Sequence, residues 1–403
     1  MLLRLAVRNV LRHKARTGMT LAAIVMGVTA LILSGGFVQD IFAQLAEAIV
    51  HSQYGHVQLA KAGYFREGSR KPDQFVVAKP EALKSRILAQ NGVSDVMARL
   101  AFAGLLNNGR TDLAIVGEGI EPDREARLGS YVAISAGRQL GDADAFGALV
   151  GQGVADSLKL APGDRVTLLA STPEGAMNTV DLEVVGIFQS FSKEYDARAV
   201  KIPLAAAQEL LGTPGANVLV VSLMATRDTA RVAHALAASL ADERIEAKPW
   251  YELSDFYDKT VELYDRQFGV LRLIVLAMVL LSVANSVNMS VFERVGEFGT
   301  MRALGDRGRK TFALVVTENA VLGLTGAAIG VALGALLAAI VSAIGIPMPP
   351  PPNSDLAYVG RIRIVPQVVA SAFFTGVAAT LLAALLPAWR MARMEVAAAL
   401  RAN

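Results

Sequence analysis

A short charged segment, residues 293–310 (ERVGEFGTMRALGDRGRK), separates two long apolar runs and constrains the fold more than any other feature of the chain. The run before it, Leu273–Phe292, carries no charged residue, and neither does the run after it, Asn319–Ser354. About 20 apolar residues in a helix cross the ~30 Å hydrocarbon layer of a membrane. Polar backbone and charges are costly inside that layer. The short charged segment therefore predicts a tight turn on one side of a membrane.

The middle of this segment has the pattern of a short helix. Val295, Phe298, Met301 and Leu304 recur at intervals of three, and Gly305 stands where a glycine would end the helix. The pattern predicts a partly buried helix that lies across the membrane face and contacts a soluble partner. A plain cytoplasmic loop is the alternative interpretation.

Four apolar segments predict membrane-spanning helices, at residues 17–40, 266–292, 311–345 and 365–389. The three cytoplasmic pieces that remain, residues 1–16, 293–310 and 390–403, together hold 13 basic and 4 acidic residues. Because basic residues favour the cytoplasmic side, both chain ends are predicted to be cytoplasmic. Arginines spaced by four in residues 1–16 predict an amphipathic helix on the membrane surface, in contact with lipid head groups, with an unstructured basic leader as the alternative.

The composition supports insertion into a membrane. Of the 403 residues 53% are hydrophobic, and the mean hydropathy is +0.42. The net charge of +3 averages unlike parts, because residues 41–265 hold 22 basic and 29 acidic residues, whereas the other 17 basic and 7 acidic residues lie in or beside the apolar segments. This distribution is typical of membrane topology and argues against nucleic acid as a partner. The absence of cysteine excludes disulfides and thiolate metal sites.

Residues 41–265 predict a large mixed α/β extracytoplasmic domain, in two subdomains, between the first and second spans. Strand patterns lie at residues 112–116, 165–170, 181–187 and 218–223, and helical patterns at 80–90, 204–211 and 229–242. The stretch Glu252–Phe268 is predicted either to continue into the second span as a helical stalk or to form a short connecting helix. Residues 346–364 predict an external loop stiffened by prolines.

Polar and small residues inside the predicted spans indicate how the helices pack. We expect four polar residues of the second span to face other helices, namely Asn285, Ser286, Asn288 and Ser290. Four glycines of the third span permit close helix packing, namely Gly323, Gly326, Gly330 and Gly334. Glu318 is a candidate proton site, although a carboxylate that snorkels to the interface or pairs with another helix is the favoured interpretation.

The sequence contains no pattern that indicates catalysis. It has no phosphate-binding loop of the form G-x-x-x-x-G-K-[ST], and its histidines, His13, His51, His56 and His234, lack the spacing of a metal site. His51 and His56 are expected in a solvated loop. We predict no catalytic residue, no metal site and no cofactor bound by this chain.

Motifs along nearly the whole chain resemble the FtsX-like permeases of ABC transporters, a group that includes MacB-type exporters and lipoprotein-releasing permeases. The segment 291–334 is similar to the signature of that family, with Phe298 in place of the usual isoleucine and with Glu318 in the helix that follows. The starting segment LAVRNVLRHKARTGMTLAAIVMGV, the domain segments VGQGVADSLKLAPGDRVTL and KIPLAAAQELLG, and the closing LPAWRMARMEVAAALR also resemble family sequences.

The resemblance implies a membrane α-helical permease subunit with four transmembrane helices per protomer. It also implies a dimer of identical or different permeases, in which each protomer docks one ATPase subunit, so that two ATPases bind ATP and Mg²⁺. Contacts with the ATPase are expected at Glu293, Arg294, Glu297, Phe298, Gly299, Arg302, Ala303, Leu304 and Gly305. Since no ATPase precedes the first span, it is expected to be a separate polypeptide.

The resemblance leaves the substrate open. A lipoprotein or another lipid-linked molecule, taken from the outer leaflet of a bacterial inner membrane, is the first hypothesis, because YGHVQLAKAGYF resembles a piece of the lipoprotein-releasing group. The alternatives are a MacB-like tripartite exporter of small molecules or peptides and a mechanical transmitter that activates a periplasmic cell-wall hydrolase. A periplasmic carrier or adaptor is a further expected partner. A secondary transporter would need charges within its spans, and only Glu318 qualifies. Substrate contacts are expected at the outer ends of spans one and two, near Phe37, Ile41, Leu263 and Phe268.

Overall fold

The computed structural model describes residues 2–12, 14–68, 75–129, 131–172, 174–349 and 358–393. Residues 350–357 of the predicted proline-rich loop and residues 394–403 of the predicted C-terminal tail lie outside the described residues. The chain divides into two compact units. One unit comprises the residues up to Phe42, Thr260–Pro347 and the residues from Val359 onward, and the other comprises Ala43–Lys259 with Met348–Tyr358.

The helices, numbered in chain order, are α1 (Leu2–Arg12), α2 (Lys14–Ile49), α3 (Tyr64–Glu67), α4 (Pro80–Leu88), α5 (Pro122–Leu128), α6 (Gln152–Leu158), α7 (Lys193–Asp196), α8 (Leu204–Leu211), α9 (Thr229–Ser239), α10 (Trp250–Leu253), α11 (Asp255–Glu293), α12 (Val295–Ala303), α13 (Gly308–Ile344) and α14 (Pro366–Arg393). The strands are β1 (Val57–Lys61), β2 (Val93–Asn107), β3 (Asp112–Ile120), β4 (Ala133–Gly137), β5 (Gly147–Gly151), β6 (Arg165–Ser171), β7 (Met177–Gln189), β8 (Ala199–Pro203), β9 (Val218–Leu223), β10 (Ile245–Pro249), β11 (Ile346–Met348) and β12 (Tyr358–Gly360).

Four helices of the described chain, α2, α11, α13 and α14, are long and apolar enough to cross a membrane, as the sequence predicts. Two of them extend well past the predicted spans. A π-helix, Val50–Tyr54, directly follows α2. Helix α11 is uninterrupted from Asp255 to Glu293, which agrees with the stalk interpretation rather than with a short connecting helix.

Glycines of α13 form the surface that packs against α2. A Cβ added to Gly326 would lie 2.9 Å from Cγ2 of Ile24, and one added to Gly330 would lie 2.8 Å from Cβ of Val28. The Thr29 hydroxyl donates a hydrogen bond of 3.1 Å to the carbonyl of Gly330. The prediction of a close helix contact along these glycines is therefore confirmed.

The polar residues of α11 follow the prediction only in part. Ser286 makes a short hydrogen bond to Thr20 on α2. Asn285, in contrast, is exposed on the surface of this chain. The prediction that Asn285 faces another helix is wrong within one protomer, because α11 turns only one face, with Val283 and Val287, toward the packed helices.

The second unit has a sheet in the strand order β10-β1-β9-β2-β3-β8-β5-β7-β4, in which β6 pairs with β2 and β7. The first half of β2 pairs with β9, and its second half pairs with β3 and β6. All four predicted strand patterns fall within β3, β6, β7 and β9. The long strand β2 therefore belongs to both halves of the sheet.

Each half of the sheet has its own hydrophobic core. In one core Val96 packs with Ile87 from α4 and Leu236 from α9. In the other core Leu106 packs with residues of β5 to β8 and of helices α6 and α8. The two hydrophobic cores therefore share the strand β2.

His51 and His56 do not lie in a solvated loop, so that expectation is wrong. His51 is half-buried in the π-helix, and His56 is only 1% exposed. Nδ1 of His56 accepts a hydrogen bond of 3.1 Å from the backbone N–H of Leu223, and its Nε2 lies 3.2 Å from the Thr226 hydroxyl. Burial and the neighbouring His51 lower the pKa of His56 to about 4. His56 is therefore a neutral, hydrogen-bonded residue of the domain interior.

Candidate functional site

Helix α12 lies within the charged segment that separates the second and third candidate spans. Arg294 has non-helical backbone angles and separates α12 from α11. At the other end, Gly305 has a φ of +100°, its N–H donates to the carbonyl of Arg302, and the N–H of Asp306 donates to the carbonyl of Met301. These two bonds form a Schellman motif, which favours glycine at this position. The short helix therefore has well-defined ends.

The underside of α12 is buried. Phe298 is 1% exposed and belongs to the same core as Leu314, Val315 and Met391. Gly299 is also buried. The guanidinium carbon of Arg294 lies 4.8 Å from the centre of the Phe298 ring. These contacts attach α12 to the helices that follow it in the chain.

A buried ion pair also holds this region together. Arg294 Nη1 donates a hydrogen bond of 2.8 Å to Glu318 Oε2 on α13, and the two side chains are 8% and 10% exposed. Arg294 Nε donates a second bond of 3.1 Å to Glu297 Oε2. The other oxygen of the same carboxylate, Glu318 Oε1, accepts a hydrogen bond of 2.6 Å from the side-chain amide of Asn9 on α1. Three helices are thus joined through one carboxylate, which bears out the interpretation of Glu318 as a paired residue.

The electrostatic setting keeps Arg294 charged. Burial alone would lower the pKa of Arg294, but its hydrogen bonds and charge interactions with Glu318 and Glu297 raise it. A second pair, Arg12 Nη1 with Glu297 Oε1, is longer at 3.6 Å and lies in solvent, with side chains 70% and 48% exposed. The contribution of Arg12 is therefore small compared with that of the buried pair.

The remaining predicted coupling residues lie toward solvent. Arg302 is half-buried. Five of the nine predicted residues are exposed, namely Glu293, Glu297, Ala303, Leu304 and Gly305. Leu304 is 84% exposed, unusually high for a leucine. The predicted set thus separates into a buried group, Arg294, Phe298 and Gly299, and a group that is accessible to a partner.

A small cavity of about 50 Å³ lies beneath this helix. It is lined by polar residues of several helices, among them Asn9, Thr20, Ser286 and Asn319. Oδ1 of Asn319 is buried and has no hydrogen-bond partner within the described residues. Such a space can hold one or two water molecules. Asn9 and Asn319 were not singled out as site residues, although an amide within an apolar helix is the signal that could have found them.

The predicted substrate residues occupy α2 and α11. Phe37 and Ile41 are half-buried on α2, and Leu263 is 64% exposed on α11. Phe268 stacks on Tyr264 with 6.2 Å between ring centres, and Tyr264 meets Phe42 of α2 edge-on, also at 6.2 Å. This row of rings brings α2 and α11 together beside the predicted residues.

Asp40 forms a buried polar contact near the same end of α2. The residue is 2% exposed, and its carboxylate accepts hydrogen bonds of 2.9 Å from Arg363 Nε and 2.8 Å from the backbone N–H of Arg361. Asp40 therefore joins α2 to the segment that leads into α14. Over the residues that the structure describes, no group of three or more His, Asp or Glu side chains is arranged to hold a metal ion.

Two family models match the chain. The FtsX-like permease C-terminal model matches residues 269–396, and the MacB-like periplasmic core domain model matches residues 17–239. The candidate spans α13 and α14 and the part of α11 from residue 269 onward fall within the first match, and most of the α/β unit falls within the second.

Similar sequences include several ABC transporter permeases. An uncharacterized permease of Methanocaldococcus jannaschii is 25% identical over 236 residues, which are 55% of this chain and 55% of that protein. The lipoprotein-releasing system transmembrane protein LolC of Neisseria meningitidis serogroup B is 24% identical over 345 residues, 80% of this chain and 78% of that protein. An uncharacterized permease of Mycobacterium tuberculosis is 29% identical over 46% of this chain and 21% of its own length. This chain thus spans from about a fifth to more than three quarters of the length of these relatives.

Solved structures of similar domains are more distant. The periplasmic region of MacB from Actinobacillus actinomycetemcomitans aligns with 53% of this chain and 95% of that structure, at 12% identity and a TM-score of 0.37. The extracellular domain of the transporter YknZ from Gram-positive bacteria aligns with 48% of this chain and all of that structure, at 15% identity and a TM-score of 0.35.

The MacB-like match covers more than half of the chain, and the FtsX-like match covers the helices and the short charged segment that follow the α/β unit. The chain belongs to the family of FtsX-like ABC transporter permeases with a MacB-like periplasmic core domain.

Proposed function

We propose that this chain is the membrane subunit of an ABC transporter and that an ATPase docks on α12 and the turn after it. The observation that carries the proposal is the construction of α12, whose one side is anchored by Arg294, Phe298 and Glu318 while its other side is accessible. The basic residues flanking the candidate spans support a location in the bacterial inner membrane, with both chain ends in the cytoplasm.

The two groups of residues have different roles in this proposal. The surface that contacts the ATPase consists of exposed residues, namely Ala303, Leu304 and Gly305 with the carboxylates Glu293 and Glu297. An exposed leucine that becomes buried on binding gives about 1.5–3 kcal/mol. The buried Arg294–Glu318 pair then passes a displacement of α12 to α13 and, through Asn9, to α1.

In this proposal the ATPase binds ATP and Mg²⁺, since residues 1–403 contain no phosphate-binding loop. Two permease protomers with two ATPases form the working complex. Helix α11 carries the movement away from α12, because it is a single helix between Asp255 and Glu293. This permease chain itself performs no catalysis.

A lipoprotein or another lipid-linked molecule from the outer leaflet is the proposed substrate. Its support is the similarity to LolC, a protein named for lipoprotein release, over 80% of this chain. An apolar surface for acyl chains is provided by the row of rings Phe42, Tyr264 and Phe268, together with the exposed Leu263. A MacB-like exporter is the second candidate, and the MacB-like match of residues 17–239 favours it.

The docking proposal is tested by co-purification with the ATPase and by ATPase activity in nanodiscs. Leu304→Asp is expected to abolish both association and stimulated activity, because it places a charge in the contact surface. Met224→Asp is the matched control, since Met224 is 78% exposed but belongs to the α/β unit. Normal association of the Leu304→Asp variant would overturn the docking assignment.

The substrate proposal is tested by photo-crosslinking from position 37 or 263, followed by mass spectrometry of the adducts. Recovery of lipid-modified proteins from these positions, and not from position 88 in the α/β unit, supports lipoprotein release. Recovery of small molecules or unmodified peptides instead favours the exporter.

A further inference from the structure

A cavity of about 480 Å³ within the α/β unit is the strongest remaining candidate for a ligand site. This volume lies in the range of small-molecule pockets in proteins. The cavity is lined by segments from the beginning, middle and end of the unit, namely the π-helix Val50–Tyr54, strand β3, the segment around α7, and the residues Leu253–Phe256.

Glu118 forms one polar wall of this cavity. The residue lies on β3, where its side chain is 13% exposed, and Oε2 has no hydrogen-bond partner within the described residues. The closest cation in an ion pair with it is Arg99, at 3.9 Å. A buried carboxylate oxygen without a hydrogen bond is unfavourable, because its lost hydration is not replaced. A ligand that donates a hydrogen bond there would relieve this cost.

The buried charges behind Glu118 are already committed to other partners. Arg99 donates hydrogen bonds of 2.7 to 3.1 Å to both carboxylate oxygens of Glu125. Lys201 donates a hydrogen bond of 2.6 Å to the same carboxylate. Burial raises the pKa of Glu125, but Arg99 and Lys201 outweigh it and bring it to about 2. Two cations, Arg99 and Lys201, thus share the carboxylate of Glu125. The carboxylate of Glu118 is the second acidic group of this cluster, which then has two basic and two acidic side chains.

Tyr195 lies beside Glu118 on the same wall. Its hydroxyl is buried and makes no hydrogen bond of normal geometry within the described residues. Burial and the charge of Glu118 raise the pKa of the Tyr195 phenol well above its ordinary value. The phenol therefore keeps its proton and is a donor beside Glu118, so a bound ammonium group would share the Glu118 carboxylate with Tyr195.

The rim of the cavity is acidic, and its apolar walls are aromatic. Glu194 and Asp255 are exposed lining residues, and with Glu118 they give three carboxylates against one guanidinium, that of Arg198. Among the apolar walls, Phe191 and Phe256 lie with their ring centres 6.4 Å apart. Aromatic faces attract organic cations, and carboxylates bind them through charge.

We propose that this cavity binds a small organic ammonium ion with an apolar or aromatic body. The ammonium group donates to Glu118, between the aromatic walls, and Asp255 adds charge attraction at the rim. Because the cavity is lined by both the first and the last helical segments of the α/β unit, the ligand contacts both of them at once. The proposal does not depend on the ATPase assignment, since binding requires no nucleotide.

The test measures binding of 1-naphthylmethylamine to the full chain in nanodiscs by equilibrium dialysis, with empty nanodiscs subtracted. The neutral isostere 1-naphthylmethanol is the matched ligand without charge. Saturable binding of the amine alone is expected, and Glu118→Gln should weaken it by at least about tenfold. Glu183→Gln, an exposed acid outside this cavity, should leave it unchanged.

Since Glu118 balances buried charges, the rim variant Asp255→Asn/Glu194→Gln provides a second measurement that does not disturb the interior. It should weaken binding of the amine several-fold with no change in thermal stability. Equal binding of the amine and the alcohol, or unchanged binding of the amine to both the Glu118→Gln and the rim variant, would overturn the proposal.

Discussion

Replacing Glu318 by glutamine tests the view that one buried carboxylate holds α1, α12 and α13 together. The change keeps the size of the side chain but removes the charge that Arg294 faces at 2.8 Å, where the two side chains are 8% and 10% exposed. Removing one partner of a buried ion pair costs about 3–5 kcal/mol. Arg294 retains its bond to Glu297, a residue whose side chain is 48% exposed, so we expect a smaller loss of about 2–3 kcal/mol.

The measurement is the free energy of unfolding of the detergent-purified chain in dodecyl sulfate, followed by the loss of helical circular dichroism. Arg12→Ala is the matched control, because it removes only the solvent-exposed pair with Glu297, which contributes at most about 1 kcal/mol. A double variant, Arg294→Met with Glu318→Leu, should lose much less stability than the sum of its single changes. If Glu318→Gln cost no more than Arg12→Ala, or if the two single effects simply added, the buried pair would not be the link between these helices.

Three further predictions concern other parts of the chain. Gly330→Leu should destabilise the helix bundle by about 1–3 kcal/mol, because even a Cβ there would lie 2.8 Å from Val28, and the same sodium dodecyl sulfate titration measures the loss. Gly305→Val should weaken co-purification with the ATPase, because the φ of +100° in the Schellman motif is strained for a β-branched residue; unchanged docking would exclude a role for this turn. The stability of the α/β unit should fall as the pH drops from about 6.5 to about 4, since the unfolded chain protonates His56 at its ordinary pKa whereas the folded chain does so only near 4, and His56→Gln should flatten this part of a pH titration of thermal unfolding.

The buried polar contacts show why part of the site escaped prediction from the sequence. Helix α12 and its C-terminal glycine could be predicted because apolar spacing and the turn residue are local signals. Local signals could not distinguish which apolar residues of this helix and its turn are buried and which are accessible. Phe298 and Leu304 are both large apolar residues, but Phe298 is 1% exposed and Leu304 is 84% exposed. Burial depends on the helices that cover a residue, and those helices come from distant parts of the chain.

The α/β unit shows the same division. Its strands β3, β6, β7 and β9 could be located from their alternating patterns. The sharing of β2 between two cores, the burial of His56 and the cavity beside Glu118 depend on contacts between residues 60 or more positions apart. No local pattern encodes such pairings.

The sequence alone determined the four apolar helices, the charged segment between the second and third, and an α/β domain between the first and second. Apolar length and residue spacing act along the chain, so they can be read without knowing what lies nearby. Only the tertiary structure decided that Glu318 faces Arg294 and Asn9, and that Glu118 lines a cavity where Oε2 finds no hydrogen-bond partner among the described residues. The reason is physical: the energy of a buried charge depends on the groups within a few ångströms of it, and the fold chooses those groups.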